Sequence, residues 1–282
     1  MLLDAIRAEL IRFSHNTAVW LWALLVIPFG GAIAGIFTRQ FLTVQLDKAI
    51  DSAPVQIQID KSPLVLIDVI ADQASSLASI NILAFFLIAA AAISAADYRW
   101  ETWRLIRPRN SRFNLIIGKA AAIGLLALIP LTLQLLCETL GQIVSATIES
   151  RPIALGFDIK TIGATFMMFL LSWIRTLQVA ALALLTAIVT RSMFGGYVIP
   201  VGVSVGTFLL AQMLANFGWG PDQWRTLLIF PATAHDMLQS AAAGGPVSAM
   251  TVVKSLLGLI LWLVLPTGLA VWYFESQDLS KE

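Results

Sequence analysis

The sequence predicts an all-α integral membrane protein of six transmembrane helices. It adds an N-terminal interfacial helix, a short inner helix and short outer re-entrant helices. Three observations carry this. Charged residues make up 12% of the chain and hydrophobic ones 58%, whereas soluble domains carry about 25% charged. Uncharged runs are long: 26 residues over Phe13–Thr38, 24 over Gln73–Ala96, 30 over Ser192–Pro221 and 20 over Ser255–Phe274. A bilayer core needs roughly 20 apolar residues per helix, and lipid admits only closed backbone hydrogen bonding. Finally, lysine and arginine gather on alternate loops.

Residues 2–13 place Leu3, Ile6, Leu10 and Phe13 on one helical face, with Asp4, Arg7, Glu9 and Arg12 largely elsewhere. Such a helix can lie in the membrane surface, apolar side down. It can equally extend the first span into the cytoplasm. Ala32-Ile33-Ala34 resembles a signal-peptide cleavage site. The leader carries Asp4 and Glu9, however, and the run is long enough to span, so an uncleaved first helix is expected.

Spans are expected at about 18–37, 76–97, 118–146, 161–190, 194–215 and 254–274, in one domain covering 1–282. Residues 97–119 form the inner loop, and 38–75, 147–160 and 216–253 the outer ones. With the N-terminus cytoplasmic, ten Lys and Arg lie inside and seven outside. This satisfies the positive-inside rule and puts both termini in the cytoplasm of a cell that holds the chain in its inner membrane. In the outer loop, Val55–Asp60 alternates with period two and reads as a short strand. Ser62-Pro63 reads as a helix start. Residues 216–253, broken by Pro221, Pro231 and Gly244-Gly245-Pro246, contain apolar pieces too short to span.

The inner loop holds six of the 18 Lys and Arg residues. Tyr98–Leu105 lacks Gly and Pro and can form two helical turns, with Trp100 and Trp103 on one side and Arg99, Glu101 and Arg104 as polar contacts. Pro108 ends the helix, having no N–H to donate. Two readings fit: an anchor whose arginines hold lipid phosphates, or a docking helix for a cytoplasmic partner.

The stretch resembles the signature loop of type-2 ATP-binding-cassette (ABC) export permeases. Asp97 takes the acidic position, Thr102 the threonine, and Trp103, Leu105 and Ile106 the apolar helix. Pro108, Ser111 and Arg112 take the turn, and Gly118-Lys119 the closing pair. Glu101 stands where that family usually has Gly, and two residues rather than one separate Pro108 from Ser111. The resemblance implies the transmembrane subunit of an ATP-driven exporter. A second permease copy, as a homodimer or with a similar chain, would complete the pathway for an amphipathic substrate (peptide, antibiotic, lipid or glycan carrier). Two cytoplasmic ABC ATPase subunits would bind ATP and Mg. Asp97, Tyr98, Arg99, Trp100, Glu101, Thr102, Trp103, Arg104, Leu105 and Arg112 would form the coupling helix and its flanks. The chain has no G-x-x-x-x-G-K-[ST] loop, so it is not expected to be an enzyme or to hold a cofactor itself.

Two charges interrupt the spans. Glu138 lies 19 residues past Lys119 and Arg175 16 residues before Arg191, roughly 28 and 24 Å from the inner edge. An unpaired ion at such depth costs about 2.5–3.5 kcal/mol on insertion scales. The two are therefore expected to approach each other or share a polar cavity. Gln134, Glu138 and Gln142 form an i, i+4, i+8 stripe; Ser172 and Arg175, with Gln178, form a looser one. Both a structural ion pair and a substrate path fit these residues. Gly202 and Gly206 read as a close-packing motif and, by the resemblance, a dimer seam.

No catalytic or metal-ligating set emerges: His15 and His235 fall on opposite sides, and His235-Asp236 reads as a solvated turn. The net charge of +1 says nothing about nucleic acid, which is not among the expected partners. Two other classes remain open. One is a membrane scaffold or sensor that docks a cytoplasmic partner without transport. The other is an intramembrane enzyme centred on Glu138 and Arg175.

Overall fold

The computed structural model describes residues 2–17, 19–33, 35–37, 41, 62–99 and 111–277. Among them, six helices are long and apolar enough to cross a membrane. They are Val19–Phe37, Ile80–Arg99, Arg112–Ile148, Ile159–Thr190, Met193–Ala215 and Ala249–Ser276. We call these spans one to six. The described residues are those of an all-helical membrane protein apart from one pair of two-residue strands. The expected strand at Val55–Asp60 and the helix at Tyr98–Leu105 lie outside the described residues, except Tyr98 and Arg99, which end span two.

The spans alternate in direction and define two poles. The N-terminal helix Leu2–Ser14 marks the near pole and packs on the first turns of span three. Gly118 permits that approach: a Cβ there would stand 2.9 Å from the Ala5 side chain. The helix breaks at His15-Asn16 before span one, so it is no straight extension of that span. Its buried residues are Ala5, Glu9 and Phe13. Leu3, expected on the apolar side, is 79% exposed, because the helix turns its small Ala5 rather than Leu3 toward span three. Span one opens with π-helical turns over Val19–Val26.

Span four is the central post. Of its most apolar stretch 61% is buried, against 6% for span five, which lies at the periphery. The main core joins spans one to four through Ile27, Phe86, Leu87, Ile123 and Val179. Alanines at 89, 90, 122, 127, 180 and 183 line the same contact and let the backbones approach. A near-pole cluster packs Ile116, Leu184, Ile188 and Phe274. A far-pole cluster packs Leu171, Leu227, Ala234, Leu238 and Leu259.

Span two begins at Ile80, not near 76, because a separate helix, Leu66–Ser76, precedes it. That helix does not start at Ser62-Pro63. Leu64 and Val65 pair in parallel with Ile153 and Ala154, which holds the chain extended until Val65. Span three is longer than expected at both ends, since Ser111 caps it by accepting from the Asn114 amide. At the far pole, Trp224–Ile229 and Pro231–Ala242 form two short helices against spans four and six. Gly258 is required for this: a Cβ there would fall 2.2 Å from the Leu227 carbonyl oxygen.

Candidate functional site

Span two ends and span three begins at the near pole, where the two flanks of residues 100–110 are fastened to the bundle. Asp97 is fully buried on the last turn of span two. Lys119, two turns into span three, is 1% exposed. Its ammonium stands 2.8 Å from Asp97 Oδ2 and 3.0 Å from Glu9 Oε2. Arg12 pairs with Glu9 Oε1 at 3.0 Å and with Asp97 Oδ1. Two carboxylates and two cations thus close a neutral ring over three elements, buried except at Arg12.

Pairing is what makes such burial tolerable. Removing charges from water costs several kcal/mol each, which only good geometry and added hydrogen bonds offset. Lys119 also donates to the Ile93 carbonyl at 3.4 Å and lies over the Phe13 ring at 5.9 Å. Burial works against the Arg12 cation, but the charge of Asp97, and then that of Glu9, outweighs it and raises Arg12 above its ordinary value. A cavity of about 780 Å³ opens beside the ring, lined by Glu9, Arg12, Phe13, Tyr98, Lys119 and Arg191 among others.

A second fastening lies alongside. Arg112 Nη1 donates to the carbonyls of Phe274, Glu275 and Gln277 at 3.0, 2.7 and 2.7 Å. These carbonyls belong to the last turn of span six and the residue after it, where helix geometry leaves acceptors without intrahelical donors. The negative end of the helix dipole also favours a cation there. Tyr98 donates to Gln277 Oε1 at 3.2 Å, and Gln277 Nε2 to the Ile188 carbonyl of span four at 3.3 Å.

Of the residues expected in the coupling segment, Asp97, Tyr98 and Arg112 make these contacts within the chain. Arg99 ends span two. Trp100, Glu101, Thr102, Trp103, Arg104 and Leu105 lie outside the described residues. Glu9 and Arg12 were not expected in a site. The available signal was an acid and a base at i, i+3 beside Phe13, in a chain with 12% charged residues.

The intramembrane pair does not form. Gln134 Nε2 donates to Glu138 Oε1 at 2.9 Å, and both face span one: a Cβ on Gly31 would meet Glu138 Oε1 at 2.7 Å and Gln134 Nε2 at 2.8 Å. Gln142, one turn on, is half-buried and adds no hydrogen bond to the stripe. Arg175 instead faces spans five and six. Its Nη1 donates to Gln178 Oε1 at 3.1 Å, and Gln178 Nε2 to the Leu259 carbonyl at 2.6 Å. Depth differs too. Glu138 is ten residues from the far end of span three and Arg175 16 from that of span four, roughly 15 and 24 Å. Counting from Lys119 and Arg191 concealed this, because span three starts seven residues before Lys119.

Ser172 donates to the Ala74 carbonyl at 3.1 Å and accepts from Gln239 at 3.4 Å, which ties span four to two far-pole helices. His235 is not in a solvated turn. It is buried in the helix Pro231–Ala242, with Asp236 Oδ1 at 3.3 Å from its Nδ1. Side chains added at Gly202 and Gly206 would meet nothing within 4 Å, so this face of span five is open in the single chain.

Compared with known families, residues 18–280 match the family described as Protein of unknown function (DUF2705), and the chain belongs to it. No match is found among curated proteins or among solved structures.

Proposed function

We propose that this DUF2705 chain is the membrane half of an ATP-driven ABC exporter. In this reading the near pole is cytoplasmic, in the cell's inner membrane, with both termini on that side. The segment near residues 97–106 is the part that couples to ATP hydrolysis, and two separate ATPase subunits bind ATP and Mg and grip it. A second copy, meeting the first along the open Gly202/Gly206 face, completes a path for an amphipathic substrate. The short far-pole helices are then re-entrant from outside.

The observation that supports this reading is the double fastening of the loop's flanks. Asp97 and Lys119 meet at 2.8 Å, and Arg112 holds the end of span six. A push on the segment between them would pass through these close polar contacts into spans two, three and six and the N-terminal helix. Loosely attached loops cannot transmit displacement in this way, since coupling travels through packed elements with discrete arrangements. The same ring also favours a second reading, a scaffold whose near pole is simply stiff.

Capture separates the two. The full-length chain, affinity-tagged in its native membrane, should bring down an ATPase with a phosphate-binding loop. Trp103→Ala or Leu105→Ala should weaken that capture by about tenfold or more, as for a side chain central to an interface. A tagged chain that brings down no such ATPase, or one indifferent to both substitutions, overturns the exporter reading.

A further inference from the structure

Arg175 sits midway along span four, with 15 residues or more of helix on either side. It is 5% exposed. Of its five N–H donors, one meets an acceptor, the neutral amide oxygen of Gln178. Among the described residues no carboxylate lies within ion-pair distance of it. Asp236 on the short far-pole helix contributes its charge from farther off, with its own side chain 70% exposed to solvent. The guanidinium borders a crevice of about 10 Å³ shared with Ser204 and Thr207 of span five, Pro231 and Trp262. The Thr207 hydroxyl is committed to the Val203 carbonyl at 2.7 Å. Among the described residues the Ser204 hydroxyl has no such bond, which leaves it able to donate into the crevice.

We propose that this crevice is a carboxylate site, which takes the acid group of an amphiphile whose apolar tail runs along span five. Arginine's planar fork matches a carboxylate's two oxygens. The volume is about that of one water-sized group, so one carboxylate oxygen fits inside beside Arg175 and a larger, multiply charged head does not. The tail's track is already apolar and uncovered: Val205, Phe208 and Leu209 are exposed on span five. As a statement of substrate class this rests on the exporter reading; as a statement of binding it does not.

The test uses the full chain in phosphatidylcholine nanodiscs at pH 8, with radiolabelled dodecanoate as the probe. Saturable binding is expected, with dodecanol and dodecyltrimethylammonium competing at least about tenfold more weakly. Arg175→Gln should lose the binding. Ser204→Leu, on half-exposed span five, should fill the crevice, leave the arginine in place and lose it as well. That variant decides the matter if Arg175→Gln does not fold. N-dodecanoyl-leucine distinguishes sources. Tighter binding than dodecanoate indicates a peptide's terminal carboxylate, and weaker binding a free acyl acid; both support the site. Dodecanol that competes as well as dodecanoate, or Ser204→Leu with unchanged binding, overturns the proposal. Dodecanoate binding without ATPase capture would keep the carboxylate site and remove the exporter.

Discussion

Lys119 brings its ammonium within 3.0 Å of Glu9 and 2.8 Å of Asp97 where water does not reach. Removing one partner of a buried pair leaves an uncompensated charge, and such losses run to about 3–5 kcal/mol. Lys119→Met should therefore destabilise the chain by about that much in denaturant titrations in bicelles. Lys119→Met with Glu9→Gln restores neutrality and should cost less than the sum of the two single substitutions, by about 0.5–3 kcal/mol. Additive losses would mean that the ring is four independent surface contacts. The same residue scale explains Gly31, which stands where any side chain would strike Glu138 and Gln134.

At the scale of elements, spans three to six each open on a side-chain cap. Ser111, Asp158, Ser192 and Ser248 accept from the amides of Asn114, Lys160 and Thr161, Phe194 and Thr251 respectively. Short polar side chains at this position satisfy donors that the first turn leaves unused. Asp158 adds a pH dependence. The Thr161 hydroxyl, then the amides of Lys160 and Thr161, hold its carboxyl below the ordinary value of 3.8. A lowered folded value means the cap contributes fully above the unfolded value and is lost as pH falls through the folded one. Protection of the Lys160 and Thr161 amides, relative to their intrinsic exchange rate at each pH, should hold above pH 3.8 and fall as the pH drops below it. Asp158→Asn should cap without that pH dependence. Protection that falls equally in Asp158→Asn would assign the change elsewhere.

Over the whole molecule, two fastenings close opposite poles. Gln239 joins the far-pole helices to Ser75 and Ser172, at 2.9 and 3.4 Å. Arg112 joins span three to the end of span six. Arg112→Gln should cost about 1–3 kcal/mol, as for hydrogen bonds to a charged group. It should also free the last turn of span six, seen as faster exchange at Phe274–Ser276. An unchanged turn would show that the packing of Phe274 alone holds it. In the exporter reading the same variant uncouples ATP hydrolysis from transport while ATPase capture persists.

The six spans were legible because each is a run of 20 or so apolar residues, and such a run has one stable arrangement in lipid. The caps at Ser111 and Asp158 sit at run boundaries for the same local reason. The sequence by itself determined how many helices are long and apolar enough to cross a membrane, that successive ones alternate, and that Asp97 and Lys119 flank the same loop. Tertiary structure alone decided which way each helix turns its polar residues. It sent Glu138 toward span one and Arg175 toward spans five and six, and it set Glu9 inward beside Ile6, Leu10 and Phe13, which pack on the core as their spacing implied. The physical reason is one of scale. Hydropathy sums over a whole run, whereas helix rotation is settled by close contacts such as Gly31 on Glu138 and Gly118 on Ala5, between residues about a hundred positions apart.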